Sequence, residues 1–379
     1  MGSTPRGISA SRGAAVLGLS DWATPLEVWQ LIMEERDPPV LLAEIGSSHG
    51  GAGDWFVKMV AQGLDPTGGY PGYNAAHGYT CPEFKEGAPL RWGTAFEDAV
   101  VSLAEEGEGL PIGEREKLYE YGQMLGDDRA LITCHIDGHY RGTDRLHEGK
   151  TTNAMSYREK WGEPGSDRIP REYAVQVQHQ MLCTGAAEVI VSVLVFPEMP
   201  DAWEKMGWQV REAPGQEIMG SYQLWKGDTF IYPIQWARTL QQMGYFHTYR
   251  VKANPEAQGK MLAAYRDFWT NNVLGGVPPE PRTYEDIKRL FPEPKGTLVC
   301  GELMARLLKE YADIKDELGG KGMLSRRADE IKLLVLDWAR TADPTMDDES
   351  REATIFRDEA GKKLGSFGRD KRGSYIFRT

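Results

Sequence analysis

Asp137 is followed eleven residues later by Glu148-Gly149-Lys150. Side chains alternate along a strand, so Glu148 and Lys150 share one face, and a hairpin between the two segments brings Asp137 beside them. Two carboxylates and an ammonium then converge on one point. Hard divalent cations such as Mg2+, with Mn2+ as a substitute, take carboxylate oxygens and keep positions open for water and phosphate. The cluster therefore suits phosphodiester hydrolysis, with Lys150 orienting a water or stabilising charge on the attacked phosphate. A lone Glu-x-Lys is commonplace on solvated strand edges, and the reading depends on its companions.

Those companions stand before and after it. Gly93-x-x-x-Glu97 opens a helix whose apolar face is Phe96, Val100 and Leu103. Tyr173, Gln176 and Gln180 fall at i, i+3 and i+7 of a second helix, beside a buried stripe of Ala174, Val177 and Met181. A tyrosine and two glutamines on one face can hydrogen bond phosphates or the lysine. His135-x-Asp137-x-His139 offers a competing transition-metal reading. Zinc hydrolase sites draw a further ligand from elsewhere, and no companion histidine motif supplies one, so His135 reads as flanking a magnesium site.

The elements that must position these residues follow from pattern. Thr24-Pro25-Leu26-Glu27 has the form of a capping box, with Leu26, Trp29 and Met33 at helical spacing. Strands are expected over 114–121, 131–140 and 145–151, a helix over 171–184 and a buried β-branched strand over 188–196. A strand over 245–251 leads to a helix capped by Asn254 with Met261, Tyr265, Phe268 and Trp269 buried. Gly-rich segments near 46–89, with a short helix over 55–62, and near 197–244 read as insertions, and the second offers no clear pattern. Helix, three strands, helix and strand make a mixed α/β core.

The domain reading is a nuclease region over 1–292, a helical hairpin over 293–342 carried by Leu307, Tyr311, Ile314, Leu318, Ile331, Leu334 and Trp338, and a basic β-hairpin tail over 343–379. The chain has 379 residues and a net charge of -12, which ordinarily speaks against a nucleic-acid partner. The total conceals a local patch: 351–379 holds eight Lys or Arg against four Asp or Glu. Cys81, Cys134, Cys183 and Cys300 have no CxxC spacing, which argues against a zinc ribbon or a disulfide scaffold. No apolar run approaches the roughly 18 residues of a membrane span, so a cytoplasmic location is expected.

The ordered set of motifs resembles the YqaJ-like viral recombinase family, which includes lambda exonuclease, within the PD-(D/E)XK nucleases. Gly7-Ile8-Ser9-Ala10-Ser11-Arg12, Leu17-Gly18-Leu19-Ser20 and Thr24-Pro25 with Trp29 look like the family's opening segment. Gln176-Val177-Gln178-His179-Gln180-Met181 with Thr184-Gly185, and Phe268-Trp269 with Pro278-Pro279, extend the likeness. It implies a restriction-endonuclease-like core with a C-terminal helical hairpin and small β unit. It also implies a Mg2+-dependent 5′ to 3′ exonuclease on linear duplex DNA, leaving 3′ single strands for an annealing protein. A homotrimer and a phage or prophage origin in a bacterial host come with it. Residue by residue, Asp137, Glu148 and Glu97 bear on the metal, Lys150 is the catalytic lysine, and Gln176 and Tyr173 support the site. Ser11 helps hold a terminal 5′ phosphate, with Arg6 and Arg12 both candidates for the family's arginine. The chain departs from the pattern at Gly149, where an apolar residue is usual, and at Ile136, where proline is. Another PD-(D/E)XK nuclease, either an endonuclease or a RecB-like repair enzyme, is the alternative, as is a noncatalytic DNA-binding protein on the same fold.

Overall fold

The computed structural model describes residues 7–35, 88–121, 131–212, 222–290, 297–318, 323–342, 353–369 and 375–378. They belong to two compact units, Met1–Ala23 with Glu83–Gly276, and Thr24–Pro82 with Val277–Thr379. The first unit opens with β1 (Gly7–Ser9) and α1 (Ala10–Val16); α2 (Pro25–Glu35) goes with the second. Then follow α3 (Ala88–Glu108), β2 (Ile112–Gly113), β3 (Lys117–Tyr121), β4 (Leu131–Ile136), β5 (Gly138–Tyr140), β6 (Arg145–Asn153), α4 (Ala154–Lys160), α5 (Arg171–Thr184) and β7 (Glu188–Phe196). Next come α6 (Pro200–Lys205), β8 (Trp208–Glu212), β9 (Tyr222–Lys226), β10 (Thr229–Ile231), α7 (Pro233–Gln242), β11 (Phe246–Lys252) and α8 (Pro255–Asp267), which runs on as a π-helical stretch, Phe268–Leu274.

The main sheet has the order β11-β7-β6-β5-β2, and a smaller one the order β1-β4-β3. β6 and β7 are parallel, as a crossover through α4 and α5 requires, and the other neighbours of the main sheet are antiparallel. Every residue of β7 after Glu188 is buried, which explains its unbroken apolar run. Val189, Val191 and Val193 meet Val177 and Met181 of α5, while Leu194 and Phe196 meet Trp92, Phe96 and Val100 of α3. Each such side chain contributes roughly 1.5–3 kcal/mol by leaving water. The core thus fixes a sheet between α3 and α5.

Two expected strands are interrupted. The one over 131–140 breaks at Asp137, handing the chain from the small sheet (β4) to the main sheet (β5). Just past the break, Gly138 packs tightly against β2, where a Cβ would lie 2.1 Å from Ile112 Cγ2. The strand over 114–121 begins only at Lys117, since Glu114 and Glu116 adopt left-handed backbone with φ of 53° and 54°. The 197–244 region forms α6, the antiparallel sheet β8-β9-β10 and α7. The expected segment near 46–89, including its short helix, lies outside the described residues but for its last two.

The second unit continues with α9 (Tyr284–Leu290), β12 (Thr297–Val299), the helical hairpin α10 (Glu302–Leu318) and α11 (Met323–Thr341), then β13 (Ala353–Arg357), β14 (Lys363–Arg369) and β15 (Tyr375–Arg378). Leu308, Tyr311, Ile331 and Val335 pack with Phe356, Phe367 and Phe377 of the four-stranded sheet. The capping box of α2 forms: Glu27 N donates to Thr24 Oγ1 at 3.2 Å, and Thr24 N to Glu27 Oε2 at 3.0 Å.

Candidate active site

β6 delivers Glu148 and Lys150 to the face covered by α5. Glu148 is fully buried, so its charge must be met within the protein. Its Oε1 accepts hydrogen bonds from Lys150 Nζ and from Gln176 Nε2 (2.6 Å), and its Oε2 accepts from Gln180 Nε2 (2.6 Å). The helical spacing of the two glutamines thus serves a carboxylate. Lys150 Nζ also lies 4.9 Å above the Tyr173 ring, a cation–π arrangement.

Asp137, at the bend between β4 and β5, turns its carboxylate toward β6, where Oδ2 accepts from Gly149 N at 2.8 Å. A side chain at 149 would be tight, because its Cβ would stand 3.3 Å from Val100 Cγ1 and 3.6 Å from Asp137 Oδ2. The departure from the family's apolar residue therefore coincides with close packing of α3 and Asp137 on the strand.

The electrostatics are those of a site short of positive charge. Burial raises the Glu148 pKa, and neighbouring Asp137 raises it further, against Lys150 and the glutamine bonds. Burial likewise raises Asp137, with Glu97 and Glu116 adding to the rise, while Lys150 and the Gly149 N–H oppose it. Burial alone would depress the Lys150 pKa, but Glu148 and Asp137 outweigh it and hold the ammonium charged.

A hard divalent cation fits this donor set, since two desolvated, mutually repelling carboxylates are stabilised as anions by positive charge. Among the described residues, no three His, Cys, Asp or Glu side chains gather to hold a metal. The centre offers two carboxylates, which leaves coordination to main-chain oxygen, water and phosphate, as Mg2+ usually takes it. Glu97 is near enough to influence Asp137 but is engaged by Arg115 at 3.2 Å, and Arg115 also binds Asp98 at 2.6 Å. Burial and then Glu116 raise the Glu97 pKa, and Arg115 opposes them.

The structure therefore brings together Asp137, Glu148, Lys150, Tyr173, Gln176 and Gln180, with Glu97 alongside. Ser11 and Arg12 lie in the first turns of α1, which follows the β1 strand paired in parallel with β4. Ser11 is exposed, its Oγ 3.1 Å from Ser9 Oγ, and Arg12 is half-buried; Arg6 lies outside the described residues. The His135-x-Asp137-x-His139 face is lost, because the break at Asp137 puts the two histidines on strands of different sheets. Arg115 and Glu116 are charged neighbours that no spacing flagged; they sit in an irregular turn and meet the site only through tertiary structure.

Residues 4–187 match the family model of the YqaJ-like viral recombinase domain. No curated protein matches the chain. Among solved structures, an alkaline exonuclease from Laribacter hongkongensis is similar over 72% of this chain and 89% of its own, with a TM-score of 0.39 and 14% identity. A phage related exonuclease from Haemophilus somnus 129PT is similar over 72% and 97%, with a TM-score of 0.36 and 10% identity. Asp137 and Glu148-x-Lys150 both fall within the span that matches the YqaJ-like viral recombinase family model.

Proposed function

We propose that the chain digests linear double-stranded DNA from an end, 5′ to 3′, by Mg2+-dependent hydrolysis, leaving a 3′ single strand for an annealing protein. The observation that carries this reading is the convergence of half-buried Asp137 and buried Glu148 on a charged Lys150 within the span that matches the recombinase family model. Asp137 and Glu148 would hold the metal, with Glu97 contributing a nearby carboxylate. A bound Mg2+ or Mn2+ would supply an acidified water and neutralise phosphate charge. Gln176 and Gln180 fix the Glu148 carboxylate in one orientation, so that no reorganisation is needed as the reaction proceeds. Lys150, rigidly held between Glu148 and the Tyr173 ring, places a point charge where negative charge grows on the attacked phosphate.

Ser11 and Arg12, at the start of α1, are assigned to the 5′-terminal phosphate, and a homotrimer would enclose the product strand. A phage-derived enzyme of this kind acts in the cytoplasm of a bacterial host; no helix among the described residues is long and apolar enough to cross a membrane. The test is digestion of linear duplex with and without a 5′ phosphate, beside closed circular DNA, in Mg2+. Linear DNA should disappear, faster when 5′-phosphorylated, the circle should persist, and Ca2+ should not support cleavage. Nicking of the circle would favour an endonuclease, and cleavage surviving complete chelation would end the metal reading. A strictly monomeric mass at micromolar concentration with full activity would remove the trimer.

A further inference from the structure

The sheet β8-β9-β10 buries one face and leaves the other half-buried at Trp225 and Phe230 and exposed at Gln209, Arg211 and Tyr232. Trp208 and Leu224 point inward, where they join Trp92, Phe96 and Trp203 on α3 and α6. Pairing of Gln209 with Trp225, Arg211 with Gln223 and Trp225 with Phe230 puts these side chains on the outward face, and Tyr232, two residues after Phe230, extends it. The rings form a row: Trp225 to Phe230 at 5.7 Å and Phe230 to Tyr232 at 4.7 Å between centroids. Arg211 lays its guanidinium 5.0 Å from the Trp225 ring centre and donates Nε to Gln209 Oε1 at 2.8 Å. Tyr232 is 59% exposed.

Core packing explains the inward residues but not this row. A solvated outer face has no use for three neighbouring rings, and a surface strand usually carries charge there. Here the outward positions Gln209, Arg211, Gln223, Trp225, Phe230 and Tyr232 contain no carboxylate and one cation, in a chain whose net charge is -12. Aromatic side chains on an open sheet, with a guanidinium plane and amides between them, are the chemistry that receives unpaired bases, because every base has a stackable face and the backbone is anionic. The platform is anchored through Trp92 and Phe96 to α3, the helix that carries Glu97.

We propose that this outward face binds single-stranded DNA, taking up the strand that digestion leaves unpaired. The inference rests on the nuclease reading of the main site but is tested apart from it. Full-length protein in excess chelator is titrated with a fluorescent oligothymidylate of about 20 nucleotides, longer than the ~4–16 covered by one single-strand-binding fold. Tyr232→Ala and Arg211→Gln should each weaken binding about 5-fold or more; Tyr232→Phe should stay within about 2-fold of the native protein. Initial digestion of a short blunt duplex in Mg2+ should be unchanged in all three. Tyr232→Ala binding as tightly as the native chain would overturn the proposal. So would an equal loss of duplex affinity, which would make the face a duplex reader, or a change in oligomeric mass, which would make it a contact between copies. Lost single-strand binding in a protein whose native form digests no DNA would sink the nuclease reading while upholding this one.

Discussion

The two faces of β6 solve the same problem differently. On the α5 face, Glu148 is a buried charge beside half-buried Lys150, and each carboxylate oxygen of Glu148 has a donor. On the α3 face, His147 is equally buried, but among the described residues neither ring nitrogen has a partner. Burial pushes its pKa down to about 3, so it stays neutral. His179 on α5 offers a control: it too is buried, yet Nε2 donates to Thr133 O at 3.0 Å and Nδ1 accepts from Tyr265 OH at 3.1 Å. The donors to Glu148 mark the side where geometry must be held, and the opposite side is packing that tolerates an idle imidazole.

The strongest way to break this contrast is at Lys150. Lys150→Met keeps the apolar stem and removes the ammonium, so turnover should fall by roughly 10²-fold or more. Lys150→Arg should also be poor, because a planar fork does not reproduce a point charge. Asp137→Asn should add a weakened Mg2+ response. Initial digestion rates across a Mg2+ titration, with thermal melts alongside, separate these effects. Near-normal turnover by Lys150→Met would make the Lys150 ammonium structural rather than catalytic.

His179 sharpens the comparison through pH. Its pKa is lowered to about 4, first by burial, against the hydrogen bond to Thr133. Because the folded value lies below the unfolded one, the unfolded chain takes up the proton first, and stability is lost as pH falls from about 6.5 toward 4. The depression corresponds to about 3 kcal/mol at the acid end. His179→Gln should therefore melt lower than the native protein at pH 7, through lost hydrogen bonds, and the gap should narrow by pH 4.5. A gap that stays constant would mean that His179 does not titrate in this range.

Much of this arrangement is legible in the amino-acid sequence. Strand alternation put Glu148 and Lys150 together, and helical spacing put Gln176 and Gln180 on one face, because both signals are local and periodic. The break at Asp137 was hidden, since Ile136, Gly138 and Tyr140 continue an acceptable strand pattern, and the close approach of Gly138 to Ile112 is a tertiary contact. Arg115's hold on Glu97 spans a helix and a turn, with no spacing to betray it. The small sheet over 208–231 was illegible for another reason: its rings line both faces, inward at Trp208 and outward at Trp225 and Phe230, which erases the polar alternation by which a surface strand is recognised.

Gln180 tests how far satisfaction of Glu148 matters. Gln180→Leu removes the donor to Oε2 while filling similar space, leaving a buried anion with one fewer partner. Hydrogen bonds to charged groups are worth about 1.5–3 kcal/mol, so stability in metal-free buffer should fall by about that much, read as a lower melting temperature. The loss should shrink when Mg2+ is added, because a cation at Glu148 replaces part of the missing stabilisation. A deficit independent of Mg2+ would place the metal away from this carboxylate.

The smallest effect is expected on the other face. His147→Phe substitutes an apolar ring of similar shape for an imidazole that has no hydrogen bond to lose. Tyr140 meets the His147 ring edge-on at 6.0 Å, a packing that phenylalanine can also make. Replacing an unsatisfied buried polar group by an apolar one of the same shape is nearly neutral or stabilising, so stability at pH 7 should change by less than about 1 kcal/mol, or rise. Digestion should stay within about 2-fold of native, although the substitution adjoins Glu148 in sequence. A loss of activity comparable with that of Lys150→Met would mean that the imidazole acts through the strand on the site, and the division of labour between the two faces would fall.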